Sequence, residues 1–338
     1  FNNNSFSNKK IKIKNSNIFF KDNLNEIITI VKINKAILFF DNDTKLNLFN
    51  LKGNVFGVPF IFDLRSKNDS IIKKKINIES KLLKLNIFNE SIIKNDNSNT
   101  GKNIILFLKS RFKTKYEVKK KLITFASNNS QLNSSKINYN GVLSINPFDL
   151  DLNIDLGNYK ISQLFSFNSL LKEFFESGIL FNERLSLDVS ILARTDGQDQ
   201  IFQNAKINLN IVNGKLNLNN TIFINNKIGF FELSNSDLFL RNNTATLNTD
   251  VQITIKDSKY LFSFLNTNKK SRRDIKNILI NLDYDFLSKK IKFNNVKINN
   301  NEVSENFLNV LENFNDNNLN NLIKSRRLIN ELLYLYEG

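Results

Sequence analysis

A chain whose side chains alternate apolar and polar is held to extended strands, because only a strand sends successive residues to opposite faces. That alternation dominates this sequence from Ile11 to about residue 300. In "INLNIVNGKLNLNNTIFIN" (207–225), Ile207, Leu209 and Ile211 face one way, Asn208 and Asn210 the other. Asn213-Gly214 is the dipeptide that best fits a two-residue type I′ hairpin turn, and Leu216 and Leu218 resume the beat beyond it. "FDLDLNIDL" (148–156) and "RLSLDVSIL" (184–192) repeat the pattern. Roughly eighteen strands of about five to nine residues are expected, joined by polar turns. Clean alternation implies antiparallel pairing with one wet face.

Two stretches leave this rhythm. Phe167, Leu170, Leu171 and Phe174 recur at helical spacing before Gly178, which predicts a helix over 163–177. From about residue 303 a second helical region is expected, with Phe307, Leu311 and Phe314, then Leu319, Leu322, Ile329, Leu333 and Tyr336, as its apolar stripe. The polar stretches 94–103 and 127–136 read as long loops. They divide the chain into 1–126, 127–300 and a helical tail, 301–338.

Composition removes most chemistry. The 338 residues contain no His and no Cys, so imidazole and thiolate metal sites and His-based nucleophile triads are excluded. "TGK" (100–102) lacks the rest of a phosphate loop, and "DGQD" (196–199) the rest of a calcium loop. Asp41/Asp43 and Asp149/Asp151/Asp155 lie on polar faces or in loops, where solvation accounts for them. No enzyme, cofactor or metal is expected. A formal charge of +16 raises polyanionic partners, but Lys, Asn, Ile and Phe all have A/T-rich codons, and the lysines are scattered. The clusters "KKSRRDIK" (269–276) and "KSRR" (324–327) read as solvated faces, or as contacts with an anionic lipid surface or acidic partner. The aromatics sit on the apolar beat, so nucleic acid is not an expected partner. No apolar run is long enough to span a bilayer, and with no Met present an N-terminal membrane anchor is expected upstream.

The segments "GKLNLNN" (214–220), "GFFELSNSDLFLRNNTATLNTDVQITIKD" (229–257) and "FLNTNKKSRRDIKNILINLDYDFLSKKIKFNNVKIN" (264–299), with the helical tail, resemble the C-terminal portion of the AsmA-like family, the AsmA/TamB-type bacterial intermembrane lipid-transfer proteins. "LNLFNLKGNVFGVPFIFDL" (46–64) is similar to that family's recurring strand unit. The resemblance implies a periplasmic protein anchored in the inner membrane of a Gram-negative bacterium. It would carry phospholipid toward the outer membrane, with an outer-membrane protein as a further partner. The implied fold is mainly β: a long antiparallel, twisted sheet coiled into an open, taco-like groove, with one internal helix and a helical tail. Phe60, Phe62, Leu150, Leu152, Ile154, Leu187, Val189, Ile253, Ile280 and Leu282, central on their strands' apolar faces, are the expected acyl-chain lining. Periodicity alone also fits a closed β-sandwich or a solenoid, serving as a non-catalytic scaffold or binding module of the cell envelope.

Overall fold

The computed structural model describes residues 10–336 except 22–26, 42, 56, 69–70, 94–98, 134, 146, 160–180, 182–184, 196–200, 242–243, 287, 289 and 313–321. Strand dominates, as the alternation requires. The chain divides into two compact units, residues 1–146 and 147–338.

The first unit contains β1 (Lys10–Lys21), β2 (Ile27–Asp41), β3 (Leu46–Val55), β4 (Val58–Asn68), β5 (Ile72–Ser80), β6 (Leu85–Ile93), β7 (Asn99–Phe107), β8 (Ser110–Lys119), β9 (Leu122–Leu132) and β10 (Ser135–Ile145). Each pairs antiparallel with the next, giving a meander. The second unit contains β11 (Phe148–Gly157), β12 (Leu185–Arg194), β13 (Asn204–Val212), β14 (Lys215–Asn217), β15 (Thr221–Asn225), β16 (Gly229–Arg241), β17 (Thr244–Ile255), β18 (Asn277–Asp285), β19 (Lys290–Ile298) and β20 (Asn301–Glu302). Three helices accompany it among the described residues: α1 (Ser258–Leu265), α2 (Glu305–Leu311) and α3 (Leu322–Leu335).

Four features differ from the sequence reading or lie beyond it. β11 and β12 pair in parallel, with Leu152 opposite Val189, while every other described pairing is antiparallel. A parallel neighbour needs a long connection, and residues 158–184 separate the two strands in the sequence. The helix expected at 163–177 lies outside the described residues. Strands are longer than expected, up to 15 residues in β2. Polar residues interrupt the apolar beat without interrupting the backbone ladder, which needs no particular side chain. For the same reason the supposed loops are largely strand: 99–103 begins β7, and 127–136 runs from β9 into β10, so position 126/127 falls inside a strand.

The expected type I′ turn is present, with Asn213 at φ 51° and Gly214 at φ 72° joining Val212 to its partner Lys215. Asparagine serves this role repeatedly: nine of the thirteen non-glycine residues with positive φ, among those described, are Asn. Its short amide tolerates the left-handed region better than most side chains do. One such residue, Asn235, opens a bulge in β16 that lets Ser236 reach across to the break between β14 and β15. There Ser236 Oγ accepts from Leu218 N at 2.8 Å, and Asn219 Oδ1 accepts from Ser236 N at 2.8 Å.

The largest core lies under the helices. Ile255, Val296 and Ile298 on the sheet meet Phe262 and Leu265 of α1, Phe307 and Leu311 of α2, and Leu332 and Leu333 of α3, with Tyr336 closing the end. Asp257 caps α1 by accepting from the backbone of Lys259 and Tyr260, and Asn266 ends it at φ 55°. Asn330 of α3 accepts from Thr267 Oγ1 at 2.6 Å and donates to Leu265 O at 2.8 Å, which fixes α3 to the end of α1. The expected tail is helical over α2 and α3, with Phe307, Leu311, Leu333 and Tyr336 buried as its stripe predicts, while Phe314 and Leu319 lie outside the described residues. The eight-residue α1 was not foreseen.

Candidate functional site

Register decides which side chains share a face, because residues opposite one another on paired strands point the same way. In the second unit Leu150 lies opposite Leu187, Leu152 opposite Val189, and Ile154 opposite Ile191. Leu187 and Val189 then face Ile211 and Leu209. Farther along, Ile253 lies opposite Ile278, Val251 opposite Ile280, and Thr249 opposite Leu282. Leu150, Leu152, Ile154, Leu187, Val189, Ile253, Ile280 and Leu282 therefore stand on one face of this unit. Their surroundings are not uniform. Ile253 and Ile280 pack against the helix-covered core. Leu187 packs against the buried cluster of Ile211, Leu216, Leu238 and Leu247. Val189 is buried, whereas Leu150, Leu152, Ile154 and Leu282 are half-buried.

Phe60 and Phe62 occupy β4 in the first unit, opposite Gly53 and Leu51, and pack against the small core of Ile33, Ala36 and Leu51. The Phe49 and Phe62 rings meet at 5.7 Å between centroids. Gly53 is required here, since a Cβ would come within 2.6 Å of the Lys32 carbonyl oxygen. From β4 to β8 an apolar row continues through register neighbours: Phe62, Ile78, Ile87, Ile105 and Phe112. All five are half-buried, and no described helix belongs to this unit.

A polar seam crosses the same face of the first unit, and the sequence reading missed it. Ser66, Lys74, Ser91, Gly101 and Tyr116 are successive register neighbours on β4 to β8. One row over stand Asn89, Asn103 and Thr114. Tyr116 folds its ring over Gly101, where a Cβ would lie 2.4 Å from the phenol, and its hydroxyl donates to Asn89 Oδ1 at 3.1 Å. Thr114 and Tyr139 share a hydroxyl hydrogen bond of 2.6 Å. Asn103 Oδ1 is buried with no hydrogen-bond partner. An acceptor left so costs about 1–3 kcal/mol relative to a satisfied one. Lys74 is the only charged residue at a register position on this face of β3–β10 among the described residues, and it is half-buried. A signal for it existed, since Lys74 sits on the isoleucine beat of Ile72, Ile76 and Ile78.

The outward face of the second unit is an amide and carboxylate ladder. Asp250 accepts from Asn235 at 2.8 Å and from Asn281 at 2.6 Å, Asn281 accepts from Asn294 at 3.0 Å, and Asp155 pairs with Arg194 at 3.0 Å. Asp41 is held below the usual carboxylate range by the hydroxyl and backbone N–H of Thr44, so it closes a turn. Among the described residues no group of three or more His, Cys, Asp or Glu is gathered as for a metal. Two of the basic residues have structural tasks. Arg272 donates to the Thr267 carbonyl at 3.0 and 3.1 Å, and the Arg326 guanidinium lies 4.7 Å from the centre of the Phe264 ring. Lys269, Lys270, Arg273 and Arg327 are exposed.

No family model, no curated protein and no solved structure matches this chain. No described helix is long and apolar enough to cross a membrane.

Proposed function

We propose that the chain is a lipid-handling protein of the AsmA-like kind, which holds phospholipid acyl chains against the apolar face of its sheet and passes lipids between the inner and outer membranes. In this reading it works in the periplasm, anchored upstream in the inner membrane, with an outer-membrane protein as a further partner, and it performs no catalysis. The observation that carries the proposal is the asymmetry between the two faces of the first unit. On the outward face Leu106 is 43% exposed and Ile92 39% exposed, while Ile105, Ile87 and Phe112 on the other face are half-buried. No described helix belongs to this unit. A sheet that curls toward its apolar side would produce this difference, since inward side chains crowd together and outward ones spread. Sheet twist makes such coiling natural. Each methylene of an acyl chain removed from water there contributes about 0.8 kcal/mol, so no specific polar contact is needed to retain it.

In the second unit Leu152 stands on the apolar face and half-buried, and it is the expected lining position there. Native mass spectrometry of the protein purified from its own cells tests the reading. Phospholipid masses bound in defined stoichiometry are expected, and a protein that carries no lipid under these conditions would contradict it.

A further inference from the structure

We infer that Lys74 and the polar seam around it form a head-group site for a phospholipid, recognising its phosphate together with a hydroxyl or ammonium donor, while the acyl chains lie along the flanking apolar rows. The inference rests on the lipid-binding reading above and adds a head-group contact to it.

Three observations point there. A cation on the inner face of a sheet is normally paired, yet among the described residues the Lys74 ammonium makes no ion pair or hydrogen bond. Its register neighbours on both sides, Ser66 and Ser91, are buried serines, so the lysine is bordered by hydroxyls and not by carboxylates. A half-buried ammonium bordered by hydroxyls and no carboxylate is best satisfied by an anion that shares that environment. The second observation is Asn103, two strands away and one row over, whose buried Oδ1 lacks a donor. Buried polar atoms are nearly always partnered, and an unpartnered one marks a place where a ligand group can complete the set. Phosphate oxygens accept and cannot serve it, but the hydroxyls of a glycerol head or the ammonium of an ethanolamine head can. The third is the arrangement of apolar rows on either side of the seam. Phe62, Ile78, Ile87, Ile105 and Phe112 form one, and on the other side Ile72 and Ile93 make a shorter apolar patch between Asn68 and Asn99. Two acyl chains diverging from one head group fit such a pattern, while a free phosphate would leave both rows without a use.

The test compares two lipids with identical acyl chains, dioleoyl-phosphatidylglycerol and dioleoylglycerol, offered to the full chain in mixed micelles. Binding is measured for the unaltered protein and for Lys74→Met, Lys74→Arg and Asn103→Leu. A charge-assisted contact predicts a preference of about tenfold for the phospholipid in the unaltered protein. Lys74→Met should abolish that preference while leaving dioleoylglycerol binding unchanged, and Lys74→Arg should restore most of it. Asn103→Leu should weaken phosphatidylglycerol binding severalfold, which provides a second reading should Lys74→Met fail to fold. Equal affinities in the unaltered protein and Lys74→Met, with both lipids bound, would overturn the head-group site and leave the lipid-binding reading standing. Failure of the unaltered protein to bind either lipid would overturn both. Inorganic phosphate competing as well as the intact phospholipid would show a free-phosphate site and overturn the proposal.

Discussion

The two units share one construction rule and differ in what lies on it. Each presents an apolar face built from every second residue, but in the second unit α1, α2 and α3 cover one end of that face, whereas no described helix belongs to the first. The consequence is visible residue by residue. Under the helices Ile298 is 2% exposed and Val296 3%, while Ile87, Ile105 and Phe112 in the first unit stay half-buried. The same alternation in the sequence therefore yields fully buried residues under helices in one place and half-buried ones in another. What decides between them is the presence of a covering element, and not the strand pattern.

The sharpest way to break this comparison is to place a charge on each face. Ile298→Asp puts an unpaired carboxylate beneath three helices, and a loss on the order of 5 kcal/mol is expected, enough to unfold the second unit. Ile105→Asp, on the uncovered face, should cost only about 1 kcal/mol, because its carboxylate keeps water. Urea titrations followed by circular dichroism read both. Comparable losses at the two positions would mean that the first unit is sealed as well. Truncation is the next largest test. Phe307→Ala removes a buried ring from the helix-covered core and should cost about 3 kcal/mol, while Phe112→Ala should cost less than half of that, as judged from the shift in urea midpoint.

Polar contacts sharpen the contrast at smaller scale. Asn219→Ala leaves Ser236, which is 1% exposed, without the acceptor for its N–H and hydroxyl, and a loss of about 2 kcal/mol is expected. Tyr139→Phe breaks the hydrogen bond to Thr114 on the uncovered face, where water can replace it, and should cost about 0.5 kcal/mol. The smallest effect is a gain. Leu108 holds φ 53° in the two-residue turn between β7 and β8 with its side chain 65% exposed, so Leu108→Gly should stabilise the first unit by about 1 kcal/mol in the same titration.

Much of the architecture was legible in the sequence because alternation is a one-dimensional signature of a two-faced strand. The Asn213-Gly214 turn and the burial of Phe307, Leu311, Leu333 and Tyr336 follow directly from local patterns. Helix α1 carried its signals too, with Asp257 and Asn266 at its ends, but eight residues between strands give too short a stripe to separate from the surrounding beat. The parallel pairing of β11 with β12 was not legible, since register between strands is set by the fold of the connection and not by either strand alone. The candidate lining was legible as faces but not as environments. Nothing within β17 or β18 tells that Ile253 and Ile280 pack against helices formed elsewhere in the chain, while Leu152 stays half-buried. Lys74 and Asn103 were passed over because polar residues on an apolar beat look like interruptions until register aligns them across neighbouring strands.

In the proposed function, lipid meets the apolar face of the first unit and no other surface of that sheet. Photo-crosslinking addresses it directly, with a photoreactive side chain at Ile105, at its neighbour Leu106, or at the helix-covered Ile280, in protein expressed in its own cells. Phospholipid captured at Ile105, and at neither Leu106 nor Ile280, is the predicted result. Leu106 is the more exposed of the two adjacent positions, so simple accessibility would favour it. Equal labelling at Ile105 and Leu106 would contradict the account.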